Sequence, residues 1–357
     1  MMRVAIIGCG TIADAHAAAI SCLPNCEIVG VSDKEELMAK QLYERYRIAQ
    51  YFHDAQTMLE RTGPHVVHIT TSPQSHYELG KLCLDAGCHV FIEKPFSLNT
   101  AEALGLTKLA DNKKLKLTVG TDGQFSPVAI RMRELIRTGY LGGTPIHMED
   151  YYGYDLGEEQ YAKALLGDRT HWVRALPGQL LHNNISHGIA KIAEYLAGEN
   201  IKVIAHGFTS AFLKQIKETE IIDELRIIIN DDNKTTAYFT FSSQMRPILK
   251  EFRIFGPKNG LIADQNQQTL IRIAGKKHLS YLENFVPLND YARQYRRGIR
   301  TNAGLFLRRE LHMKSGLRHL IESFYRSIND NSPVPIPYRE IILTTKIMDS
   351  IFSQIYS

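Results

Sequence analysis

The chain has 357 residues, with 42 Lys and Arg against 38 Asp and Glu, 44% hydrophobic and 22% charged residues. Such a length exceeds what one compact core usually organises, so two domains are expected, and the ordinary composition excludes a disordered chain. A formal charge of +4 is too weak to imply nucleic acid.

No apolar run reaches the roughly 18 residues of a membrane span. The opening MMRVAIIGCG resembles a signal peptide, but Gly8, Gly10, Asp14 and His16 interrupt any longer apolar stretch. Cys9, Cys22, Cys26, Cys83 and Cys88 form no C-x-x-C pair, so a metal site is not expected. They read as small buried side chains in a reducing, cytoplasmic setting.

Residues 3–8, 26–33, 65–71, 88–93 and 115–120 are short runs rich in Val, Ile and Phe, separated by segments of helical spacing. That alternation predicts an α/β domain over 1–121: a doubly wound parallel sheet of Rossmann type. After Gly120 the rhythm changes. SPVAIRMRELIRTGYLG reads as an amphipathic helix, and later strand-like runs joined by turn signals predict an α+β domain over 122–357 with a largely antiparallel open sheet.

GCGTIA follows the first strand and opens a helix, placing Gly8, Gly10 and Ala13 in the G-x-G-x-x-G/A pattern, with Thr11 and Ile12 between them. Small residues there allow a tight turn and bring a pyrophosphate against free N–H groups of the helix. Asp33 ends the second strand, where a carboxylate accepts hydrogen bonds from a ribose diol. The order of strand, glycines, helix and acid predicts dinucleotide binding. Asp33 repels a 2′-phosphate, so NAD is preferred over NADP, although Lys34 beside it would partly neutralise one.

TTSPQSH follows the next strand. Ser72 or Ser75 would cap the following helix there, or Thr71, Ser72 and His76 would border the cofactor. Glu93 and Lys94 end the HVFI strand, at the carboxyl edge where ligands of open sheets bind, with Pro95 fixing the turn. A lysine so placed suits the holding of a substrate hydroxyl beside a hydride acceptor.

AIIGCGTIADAH, the Ser32-Asp33 pair, TTSPQSH and GCHVFIEKPFS, in that order, resemble the Gfo/Idh/MocA oxidoreductases (glucose-fructose oxidoreductase, inositol dehydrogenase, rhizopine catabolism). The resemblance covers most of residues 1–125. It implies that Lys94 is catalytic, with a cis bond to Pro95, and that the substrate is a sugar, inositol or nucleotide sugar. It also implies a homo-oligomer, dimer or tetramer.

In PGQLLHNNISHGIAKIAEYLAG, Ile185, Ile189, Ile192 and Leu196 have helical spacing, and Asn183 and His187, four apart, share one face. By resemblance His187 relays the substrate's proton. Asn183 stands where the family usually has Asp, Ile185 replaces a common glycine, and Gln124-Phe125 replaces a frequent Arg-Phe pair. An amide still binds a hydroxyl but takes no proton, so the relay rests on His187 with Lys94.

Tyr151, Tyr152 and Tyr154 read as a strand's two faces. The arginines of 291–318 read as a solvated helix face, with a nucleotide-sugar diphosphate or an anionic membrane as the rival partners. Two alternatives to hydride transfer remain: elimination of a glycosidic substituent by transient oxidation, and a non-catalytic NAD(P)-binding sensor or regulatory subunit.

Overall fold

A computed structural model of the chain describes residues 1–156, 165–233, 235–275, 281–311 and 314–356. The chain divides into two compact units, Met1–Asp122 with Gly316–Asp349, and Gly123–Ser315 with Ser350–Ser357.

The first unit opens β1 (Met2–Ile7), α1 (Thr11–Ser21), β2 (Cys26–Ser32), α2 (Glu36–Tyr46), β3 (Tyr51–Phe52) and α3 (Ala55–Thr62). It continues β4 (Val66–Ile69), a 3₁₀ turn at Pro73–Ser75, α4 (His76–Asp85), β5 (His89–Ile92), α5 (Thr100–Lys113) and β6 (Leu117–Val119). The strands form one parallel sheet in the order β3-β2-β1-β4-β5-β6. All four residues of β4 are buried, as both-face coverage by helices requires. Local chemistry ends the helices where expected: Asp54 and Asn99 accept from Thr57 N and Glu102 N at the starts of α3 and α5, and Gly63 closes α3 in the left-handed region. The two-residue edge strand β3 carries no period that sequence reading could detect.

The second unit contains α6 (Pro127–Arg137), β7 (His147–Gly153), α7 (Gln179–Tyr195), β8 (Ile201–Phe208), α8 (Ala211–Gln215), β9 (Glu224–Asp231) and β10 (Thr236–Ser242). After these come β11 (Lys250–Phe255), β12 (Gly260–Asp264), β13 (Thr269–Ile273) and α9 (Val286–Leu307). The sheet order is β13-β12-β11-β7-β10-β9-β8, antiparallel throughout except where β7 and β10 run parallel. Helix α7 lies on one face of this sheet. Gly188 allows the approach, because a Cβ there would collide with the buried Phe239 ring and come within 2.6 Å of Asp150 Oδ2. Gly188→Ala should therefore lower stability by about 1–3 kcal/mol, read as a lower urea midpoint at unchanged slope.

The last segments of the first unit are α10 (Ser315–Asn329) and the opening part of α11 (Tyr338–Ile355). Phe324 packs edge-on against Phe91 at 6.0 Å, the Tyr338 hydroxyl accepts from Leu117 N at 3.0 Å, and Asp349 accepts from Thr100 N at 2.8 Å. Among the described residues, no helix is long and apolar enough to cross a membrane.

Candidate active site

The carboxyl ends of β1, β2, β4 and β5 share one edge of the parallel sheet. After β1 the chain turns at Gly8 with φ +90°, where a Cβ would lie 2.7 Å from Thr71 Cγ2 and 2.8 Å from Thr71 N. Only glycine fits this approach without strain. At Gly10 the reason differs. It caps α1 without a side-chain hydrogen bond, and a Cβ there would meet no described atom within 4 Å. A helix start bare of side chains, with room above it, suits an incoming pyrophosphate.

Thr11 is exposed, Ile12 half-buried and Ala13 fully buried, so the small third residue of the pattern serves packing of α1 on the sheet. Asp33 ties the loop to the end of β2: its Oδ2 accepts from Cys9 N at 2.6 Å and its Oδ1 from Glu35 N at 2.9 Å. Lys34 beside it is exposed. Burial, reinforced by Asp33, pushes the Cys9 thiol up to about 12, so it remains protonated at neutral pH. All five cysteines are free; Cys9, Cys83 and Cys88 are buried, whereas Cys22 is exposed, unlike the small buried role expected of the set.

After β4, Thr70 Oγ1 donates to Gly8 O at 2.6 Å, joining the two loops. Neither Ser72 nor Ser75 caps a helix with its side chain. The Ser75 hydroxyl instead reaches Thr71 Oγ1 at 2.7 Å and Ser72 O at 2.9 Å. Thr71 and Ser72 are half-buried. His76 is fully buried, with Nδ1 2.9 Å from Pro95 O and Nε2 3.1 Å from Thr71 O; burial lowers its pKa, so the neutral ring donates its single N–H to one of these two backbone oxygens.

After β5, Glu93 is buried and Lys94 half-buried, and the Lys94–Pro95 bond is cis. Glu93 Oε1 meets His16 Nε2 at 2.9 Å, His16 Nδ1 meets His68 Nδ1 at 2.7 Å, and His68 Nε2 meets the Tyr325 hydroxyl at 2.8 Å. Burial opposes ionisation of Glu93, but the hydrogen bond and charge of His16, with Lys94 beside it, hold its carboxyl below the usual range. Burial, with His16 as neighbour, keeps His68 well below the ordinary imidazole value and therefore neutral.

In the second unit, every residue of α7 from Leu180 to Ala193 is buried except Asn183 and His187. These two, one turn apart, mark the part of the helix surface that stays open. His187 stacks at 9° on Tyr152, centroids 6.4 Å apart, and its Nδ1 lies 4.0 Å from where a Cβ of Gly123 would be. One turn on, the buried Lys191 holds Asp150 Oδ1 at 2.6 Å.

Tyr151 takes the opposite face of β7, where the Arg253 guanidinium lies 5.5 Å from its ring. Gln124 is buried, its amide donating to Glu194 Oε2 at 2.9 Å, while Arg133 lies 5.1 Å from the Phe125 ring. Gln124 thus serves the packing of α7 and α6.

Residues 2–121 match the profile of the oxidoreductase family with an NAD-binding Rossmann fold. Over those residues the chain is of the Gfo/Idh/MocA oxidoreductase type. It is 34% identical to D-glucoside 3-dehydrogenase of Escherichia coli K12, over 40% of this chain and 40% of that protein's length. It is 22% identical to myo-inositol 2-dehydrogenase of Thermotoga maritima, over 84% of this chain and 86% of the relative. Its fold is similar to that of the WlbA dehydrogenase of Bordetella pertussis, solved with NADH and UDP-GlcNAcA: TM-score 0.80, 15% identity, 99% of this chain and 95% of that one.

The profile matched over residues 2–121 is that of NAD-binding proteins, and the residues present fit a nicotinamide dinucleotide. The open position over Gly10, the uncapped start of α1 and the carboxylate of Asp33 match the needs of pyrophosphate and ribose. His16, His68 and Tyr325 were not singled out by sequence reading. A histidine inside the apolar run HVVHITT was the one available signal. No residue of α9 is buried, and Arg293, Arg296, Arg297 and Arg300 are exposed on it.

Proposed function

We propose that the protein oxidises or reduces a hydroxyl carbon of a sugar, inositol or nucleotide sugar with NAD(H) in preference to NADP(H). The supporting observation is the placement of Lys94, which follows β5 at the same sheet edge as the Gly8 turn and Asp33. When bound, the nicotinamide supplies the hydride acceptor or donor.

The Lys94 ammonium donates a hydrogen bond to the substrate oxygen and stabilises the negative charge that develops there as the carbon is oxidised. The His187 imidazole takes the hydroxyl proton, or returns it in reduction. Asn183 hydrogen-bonds a ring hydroxyl and carries no proton. Thr71, Ser72 and Glu93 border the cofactor side, and a cytoplasmic setting agrees with five free cysteines. The exposed Ile204, Phe208 and Tyr238 on the open face of the second sheet support pairing with a second copy.

The test is a panel of sugars, inositols and nucleotide sugars incubated with NAD⁺ or NADP⁺ and followed by absorbance of the reduced nicotinamide. Turnover of at least one is expected, and none across the panel, despite cofactor binding, would refute the reading. Asp33→Ala should weaken NAD binding by roughly tenfold, for one lost charge-assisted hydrogen-bonded contact, and weaken NADP binding less. Fluorescence titration of both cofactors measures this.

A further inference from the structure

The buried series Tyr325, His68, His16, Glu93 ends against Lys94 and is not needed to hold a dinucleotide. Its members come from α10, β4, α1 and the end of β5, and all four are less than 6% exposed. So many polar groups in one core are retained at a stability cost unless every one is satisfied.

Two proton arrangements are compatible with a neutral His68. In the first, the Tyr325 hydroxyl donates to His68 Nε2, His68 Nδ1–H donates to His16 Nδ1, and His16 Nε2–H donates to Glu93. In the second, His16 is an imidazolium donating both ways, and His68 donates to the Tyr325 oxygen. Both aim an N–H of His16 at Glu93, and the first uses every polar hydrogen of the series.

At the far end burial holds the Tyr325 phenol well above its ordinary value, so it stays un-ionised at neutral pH. A series ended by a neutral hydroxyl serves to orient. At the near end Glu93 Oε2 also accepts from Lys94 N at 3.2 Å. Space for the carboxylate exists because residue 120 is glycine; any Cβ there would collide with Glu93 Oε1.

We propose that His16, His68 and Tyr325 are positioning residues for the reaction. They fix Glu93 as an oriented carboxylate, and Glu93 in turn keeps the Lys94 side chain in its ammonium form. This rests on the reading of Lys94 as the residue that polarises the substrate oxygen. The titratable groups facing Glu93 are His16 of α1, with His68 of β4 and Tyr325 of α10 behind it. Lys94 on its own segment and His76 at the start of α4 also interact with Glu93, and the end of β6 presents Gly120 to it.

Glu93 and Lys94 are chain neighbours joined by the Lys94 N–Oε2 bond, and the charge of Lys94 favours the ionised Glu93. By reciprocity the carboxylate favours the ammonium, so loss of its charge releases the Lys94 proton at lower pH. The experiment is competitive acetylation of the intact protein with acetic anhydride across pH 6 to 11, with Lys94 modification quantified by mass spectrometry. Glu93→Gln should lower the midpoint for Lys94 by about one unit or more. His16→Leu should lower it by less, and Tyr325→Phe, which deletes one buried hydroxyl, in the same direction by the least.

Melting curves establish that each variant is folded; should His16→Leu fail to fold, Tyr325→Phe decides in its place. An unchanged midpoint in folded Glu93→Gln overturns the link from Glu93 to Lys94. An unchanged midpoint in folded His16→Leu, or in its substitute, overturns the series behind it. Failure of the functional reading is separable: retained turnover in Lys94→Ala would remove Lys94 from the chemistry while leaving the acetylation midpoints as they are.

Discussion

Lys94→Ala should reduce turnover by a factor of about 10²–10⁴, the usual contribution of one positioned proton-handling group, while leaving dinucleotide affinity within a few-fold of the parent. The separation follows from where the residues sit. Gly8, Gly10 and Asp33 belong to the turn after β1 and the end of β2, and their contacts to Thr71, Cys9 and Glu35 involve no atom of Lys94. Steady-state rates with the best sugar of the panel and fluorescence titration with NADH are the two measurements. Undiminished turnover would refute the assigned role; joint loss of turnover and cofactor binding would show that the substitution damaged the fold.

Lys191→Met should produce the largest loss of stability, about 3–5 kcal/mol, because it strands a buried carboxylate. Lys191 and Asp150 are 4% and 1% exposed, with the ammonium also 5.9 Å from the Tyr152 centroid and 5.8 Å from that of Phe252. Burial already raises Asp150 above the ordinary carboxyl value against the pull of Lys191, and removing the lysine leaves the raising influence alone.

The sign of the pH effect follows. A carboxyl whose folded pKa lies above its unfolded one binds its proton more tightly when folded, so stability falls as pH rises from about 4 through the raised value. The variant should consequently lose less relative to the parent at pH 5 than at pH 8 in urea titrations. Asp150→Leu combined with Lys191→Met should recover most of the loss, since an apolar pair carries no unmet charge. Equal destabilisation at both pH values would contradict this account.

Much of the nucleotide half was legible because its signals are local. A strand, two glycines, a helix start and an acid lie within one short stretch of chain, and each has its own steric or electrostatic reason. The turn after β5 was legible through Pro95, and the shared face of Asn183 and His187 through a four-residue spacing that the burial pattern of α7 repeats.

What escaped notice depends on distant pairing. His16 meets His68 across 52 residues and Glu93 across 77, and His68 meets Tyr325 across 257; no periodicity encodes such contacts. His76 is a related case. Its place after a strand suggested the cofactor side; that its ring lies between Pro95 O and Thr71 O is a contact no periodicity encodes. The parallel pairing of β7 with β10 was equally hidden, because consecutive turn signals describe hairpins and say nothing of a strand inserted beside one that came much earlier.

The return of α10 to the parallel sheet bears on the order of events at the ribosome. Leu320, Ile321 and Phe324 are buried, Phe324 against Phe91, yet they are synthesised some two hundred residues after β6. Nascent chains arrested shortly after Gly120 should thus hold an unfinished hydrophobic surface and bind chaperones, and gain protease resistance only once Asn329 has cleared the exit tunnel. A gene fragment cut at residue 122 would inherit the same defect, and a linker joining residues 1–122 directly to 316–349 should cure it.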